Sequence, residues 1–214
     1  MNPSHSELWQ RWRNLMATLD CAEHRQTYEK LITAYTEPQR HYHTLDHLRD
    51  CLGWMTEVQA LLENPAEVAL TLWFHDAIYQ PRSVSNEVDS AAWARDFLID
   101  TGVDGTIAKQ VSTHILATQT HEVSANLDCQ FVLDIDLVIL GSSSERFRQF
   151  ESQIREEYQW VPVAEYREKR TAILQKFLEK ETMYQTEFFA QRFEKQAREN
   201  IRGVIALLTH GLRL

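Results

Sequence analysis

The stretch Asn64-Pro65-Ala66-Glu67-Val68-Ala69-Leu70-Thr71-Leu72-Trp73-Phe74-His75-Asp76-Ala77-Ile78-Tyr79 restricts the fold more than any other. Asn64 is an N-cap, Pro65 suits the first helical position and Glu67 the third, so a helix starts here. From that start Val68, Leu72, His75, Asp76 and Tyr79 fall at i, i+4, i+7, i+8 and i+11, a single helical stripe. His75 and Asp76 therefore point where the apolar residues point, into the interior. A carboxylate taken out of water needs compensation. A divalent cation, which accepts imidazole and carboxylate together, supplies it most simply. The chain has to bring further ligands to this doublet from other segments.

Those segments are helical. Six glycines and five prolines in 214 residues leave few breaks, and apolar residues recur at helical spacing nearly throughout. The pattern predicts helices over about 4–19 and 22–36, with Leu8, Trp12, Leu15 and Leu19 on one face. After the break at Thr36–Arg40 it predicts helices over 44–62, 64–79, 86–98, 104–118 and 128–140. Gly141 ends the last of these, and Ser142 to Glu145 reads as a capping box. The C-terminal helices then span about 143–160, 163–180 and 184–209. The expectation is an all-α bundle, one domain over 1–214, with a core at about 40–141 and a C-terminal helical extension (143–210) packed on it. A chain of this length buries about 70% of its unfolded surface and needs no metal merely to fold.

Charge and cysteine content narrow the function. A formal net charge of -9 disfavours a nucleic-acid footprint, though a small phosphorylated molecule remains compatible. Three cysteines (Cys21, Cys51, Cys129), an odd number without short spacing, read as buried thiols rather than disulfides or a zinc-thiolate cluster. No segment is apolar over the roughly 20 residues a bilayer needs. The polar N-terminus carries no signal-peptide pattern, so a cytoplasmic protein is expected. The mixed-charge run Glu165–Arg170 reads as a solvated helix face. Tyr184, Phe188, Phe189 and Phe193 either pack on the core or form a homodimer surface.

The candidate ligands follow from spacing. His43 and His47 are four apart, yet Thr44 stands where a zinc protease carries glutamate, so that chemistry is excluded. His47 precedes His75 by 28 residues, enough for one helix to end, turn and return beside it. Asp134 and Asp136 lie about 200° apart on a helix, so only one can face a cation while the other caps or pairs. His114 and His121 are further candidates, as a structural imidazole and as a ligand or substrate contact. Arg40, Tyr42, Tyr79, Asn86 and Glu87 flank the doublet, and an arginine suits a phosphate. His5, His24, His41 and His210 read as surface or packing residues.

Taken together, His47, His75-Asp76 and an aspartate followed by Leu137 resemble the H…HD…D signature of the HD-domain metal-dependent phosphohydrolase superfamily. Arg40–His47, Phe74–Tyr79, Asn86-Glu87 with Ser90, Leu133–Leu137 with Gly141, and Ala197–Asn200 are similar to a bacterial branch of predicted HD hydrolases. The resemblance implies a helical bundle holding one divalent ion (Mn, Ni, Co, Fe or Zn, with Mg possible) on His47, His75, Asp76 and, of the two aspartates, Asp136. It implies hydrolysis of a phosphoester in a small phosphorylated substrate, a nucleotide among them, by metal-activated water. Asp76 then orients or deprotonates the water, Arg40 or His43 neutralises phosphoryl charge, and His121 protonates the leaving group. Two alternatives share the ligands: a non-catalytic metal- or nucleotide-binding domain, and a di-iron oxygenase that recruits His114 and His121.

Overall fold

Helix α4 (Pro65–Phe74) is where the fold begins, because it is apolar on every side. Val68, Leu70, Leu72 and Phe74 are fully buried and Trp73 nearly so. A helix of that kind has to be surrounded. In the structure, a computed structural model describing residues 3–211, the neighbours are α1 (Pro3–Thr18), α3 (Leu45–Val58), α5 (Asn86–Asp100) and α6 (Gly105–Ala117). The side chain of His5 lies outside the described residues. Helix α2 (Arg25–Ala34) adds Tyr28 and Leu31 to the same core. Trp12 meets Trp73 edge-on at 5.3 Å, and Phe74 stacks on Phe97 at 5.6 Å. Each such ring contributes about 1.5–3 kcal/mol through burial alone.

The remaining helices are α7 (Leu127–Leu137), α8 (Ser144–Glu157), α9 (Val163–Glu179) and α10 (Glu187–Thr209). The fold is all-α, and no strand occurs among the described residues. The chain forms two compact units, Met1–Val132 and Leu133–Leu214, divided within α7. No helix among the described residues is long and apolar enough to cross a membrane.

Side-chain caps set three of the helix starts among the described residues. Thr44 caps α3 by accepting from Asp46 N at 3.3 Å, and Asp104 caps α6 by accepting from Thr106 N at 2.7 Å. Asn64 occupies the N-cap position of α4, but its side chain donates to Asp128 instead of capping. Asp128, 1% exposed, accepts from Glu63 N at 2.8 Å and Asn64 N at 2.7 Å, and so fixes the start of α4 within the first unit.

The second unit corrects three readings of the sequence. Ser143, not Ser142, caps α8, accepting from Arg146 N at 3.3 Å. Arg170 is not solvated: its Nε donates to Glu151 Oε2 at 3.0 Å, and Glu151 is fully buried. Gly141 does not need a left-handed backbone. It is small because α10 crosses there, and a Cβ would stand 2.5 Å from Phe193 Cβ. Tyr184 and Phe189 are buried within this unit, with Tyr184 Oη donating to Leu137 O at 3.0 Å.

Candidate metal centre

Thr44 starts α3 so that His47, Leu48, Cys51 and Leu52 share its buried face. His47 is 2% exposed and lies 4.8 Å from the Tyr42 ring. The second imidazole comes from the end of α4. The expected helix through Tyr79 instead stops at Phe74, with His75 as its C-cap. His75 keeps helical backbone angles and still donates its N–H to Thr71 O at 2.8 Å, and its Nε2 lies 3.1 Å from Asp76 Oδ2.

Three donor atoms form a tight triangle. His47 Nε2 lies 3.1 Å from His75 Nε2 and 3.4 Å from Asp76 Oδ2. Donors each about 2.1 Å from one cation stand about 3.0 Å apart across an octahedral edge and about 3.4 Å across a tetrahedral one. The separations fit that range on all three sides. Protonation fits as well. His75 Nδ1 lies 2.9 Å from Leu72 O, which can only accept, so Nδ1 carries the hydrogen and Nε2 presents its lone pair. Burial alone pushes the Asp76 carboxyl up. With no cation bound, the positive charge that His75 and His43 carry when protonated and bonds from His47 and His75 outweigh it, holding Asp76 well below the usual carboxylate range. Two imidazoles and one carboxylate are therefore ready for a divalent ion.

The turn carrying Asp76 is fastened from both sides. Arg40 Nη1 donates to Asp76 O at 2.7 Å and His43 O at 3.1 Å, and Nη2 to Ala77 O at 3.2 Å. Nε donates to Glu37, and the guanidinium lies over the Tyr35 and Tyr79 rings. From α5, Ser90 Oγ accepts from Ile78 N at 3.0 Å, and Asn86 bonds both backbone groups of Gln80. This corrects the role given to Arg40. Its side chain is fully buried and spent on carbonyls, so it holds the turn and offers no fork to a phosphate.

The other candidates separate cleanly. His43 is half-buried, stacked on Tyr79 at 4.2 Å, with its ring 5.9 Å from that of His47. His114 is 1% exposed with Nε2 2.7 Å from the Gln110 amide, and burial pushes its pKa down. His121 occupies a left-handed turn after α6 at φ 50°. Glu87 opens α5 in its first turn. Within the second unit, Asp134 accepts from Gln185 N, Thr186 N and Thr186 Oγ1, each at 2.7 Å, and so anchors the start of α10. That engagement makes it the capping member of the Asp134–Asp136 pair. Asp136 is half-buried.

Cys51 is a free, buried thiol, as its place in the sequence predicts, and His47, Cys51 and His75 each offer a ligand atom within 4.8 Å of the others. Its position one helical turn after His47 was the available signal. No family model, curated protein or solved structure matches the chain.

Proposed function

We propose that the chain is a divalent-metal-dependent phosphohydrolase of the HD kind, acting on a small phosphorylated molecule. The carrying observation is the triangle of His47 Nε2, His75 Nε2 and Asp76 Oδ2, with sides of 3.1, 3.1 and 3.4 Å. Asp136 is the remaining ligand on the strength of the sequence pattern, since Asp134 is taken up at the start of α10. When bound, the cation supplies Lewis acidity, lowering the pKa of a water and polarising a phosphoryl oxygen.

The residues divide the remaining work by exposure and charge. His47 and His75 keep 3% and 1% of their side chains exposed, whereas Asp76 keeps 17%. Water and substrate therefore reach the centre past Asp76. A carboxylate held so far below its usual range is a hydrogen-bond acceptor at neutral pH, not a store for protons. Asp76 accordingly orients the attacking water, whose oxygen bonds to phosphorus as the ester oxygen departs. His43, half-buried beside Tyr79 and near His47, holds the displaced proton or faces the phosphoryl oxygens. Arg40 is a positioning residue that sets the backbone under Asp76.

The test is elemental analysis followed by a phosphoester and nucleotide screen with added Mn²⁺, Ni²⁺, Co²⁺ or Zn²⁺. The wild-type chain is expected to bind metal stoichiometrically and to turn over at least one phosphoester. Asp76→Ala should lose about 100-fold or more in rate. Full rate in Asp76→Ala with metal bound rules this mechanism out, and a chain that takes up no divalent ion rules out the reading as a whole.

A further inference from the structure

We infer that Tyr79 is a positioning residue that fixes the ring of His43 beside His47, through its aromatic face and not its hydroxyl. The inference rests on the phosphohydrolase reading above, in which His43 acts on the substrate, and deepens it. The His43 and Tyr79 rings stack with centroids 4.2 Å apart and planes 29° from parallel. Tyr42 meets the same imidazole edge-on, at 5.0 Å and 81°. The backbone beneath the imidazole is held as well. Arg40 Nη1 donates to His43 O at 3.1 Å and to Asp76 O at 2.7 Å, tying the two chain segments together. The same guanidinium lies 5.3 Å from the centroid of the Tyr79 ring.

Unequal burial gives the stack its purpose. His43 is half-buried, so surrounding atoms do not enclose its ring on every side. Tyr79 is only 6% exposed, and its backbone is fastened where Gln39 Nε2 donates to Tyr79 O at 3.2 Å. The residue before it, Ile78, donates its N–H to Ser90 Oγ at 3.0 Å. A fixed ring thus lies against a less enclosed one. Aromatic contact of this kind favours one orientation over others by about two- to tenfold. A side chain that exchanges a proton or meets a phosphoryl oxygen needs its ring nitrogen within hydrogen-bond reach of the reacting atom. Lost orientation therefore lowers kcat and leaves ground-state binding nearly untouched. A mere core-filling role for Tyr79 would be served equally by leucine, which offers no ring to stack on.

The experiment assays the Mn²⁺-loaded full chain on p-nitrophenyl phosphate and bis-p-nitrophenyl phosphate, with Tyr79→Phe and Tyr79→Leu beside the wild type. Tyr79→Leu should lose about tenfold or more in kcat with KM and bound metal nearly unchanged. Tyr79→Phe, which keeps the ring, should stay within about twofold of the wild-type kcat. In a His43→Gln background, Tyr79→Leu should cost nothing further, because both changes remove one function. NMR of the Zn²⁺-loaded wild type reads the stack without any activity and without a variant at Tyr79. The His43 ring hydrogens, assigned by their loss in His43→Gln, should lie upfield of their random-coil positions. Unshifted hydrogens overturn the inference. So does a Tyr79→Leu protein with wild-type kcat, one whose loss adds to that of His43→Gln, or a Tyr79→Phe protein as impaired as Tyr79→Leu. Each of these leaves the phosphohydrolase reading standing. A wild type that turns over no phosphoester ends that reading and this role for Tyr79 together.

Discussion

Two buried imidazole nitrogens 3.1 Å apart share either one hydrogen or one cation. His114 is the contrasting histidine, buried for packing. It sits on α6 against Gln110, and burial lowers its pKa from the ordinary 6.5. The sign follows directly. Below pH 6.5 the unfolded chain takes up a proton that the folded chain resists. The stability that neutral His114 supports is thus fully present above that pH and is lost as pH falls through the lowered value. Urea midpoints between about pH 5 and about pH 7 should rise with pH, and His114→Gln should flatten that rise.

At the scale of elements, two helix ends show packing overriding local preference. Past Phe74 the groups that would extend α4 are engaged otherwise: Leu72 O lies 2.9 Å from His75 Nδ1, Phe74 O accepts from Ala77 N, and Ile78 N donates to Ser90 Oγ. A helical stripe read from spacing continues to Tyr79, since nothing in those residues themselves breaks a helix. Near the start of α8 the small residue answers to another element. Gly141→Ala would set a methyl 2.5 Å from Phe193 Cβ and 2.8 Å from Phe193 O, where backbone must shift. Gly141→Ala should lower stability by about 1–3 kcal/mol in a denaturant titration, while Gly53→Ala, which meets nothing within 4 Å, should not.

For the whole molecule, the donors on α3 and at the end of α4 lie in the unit Met1–Val132. A ligand that binds only the folded state raises stability by about 4 kcal/mol at a thousand times its dissociation constant. Loading the chain with Zn²⁺ or Co²⁺ should therefore raise the melting temperature, and a chelator should reverse the gain. His47→Ala and His75→Ala proteins should show neither response. A wild-type melting curve indifferent to both metal and chelator counts against the centre. The second unit, Leu133–Leu214, carries its own polar anchors, the Glu151–Arg170 pair and Asp134 under α10.

The sequence by itself determined the all-α class, nearly every helix and the identity of the His75-Asp76 doublet with His47. Caps, prolines and the 3.6-residue repeat act within a few residues, so they are written locally. Tertiary structure alone decided the rest. Arg40 reaches the Asp76 carbonyl across 36 residues, and Asp134 reaches Thr186 across 52. Whether an arginine serves a substrate or the backbone, and which aspartate caps, depends on groups that distant packing delivers. The place of Cys51 beside His47 lies between these cases. Its spacing was visible, but its nearness to His75 depends on how α3 packs beside α4.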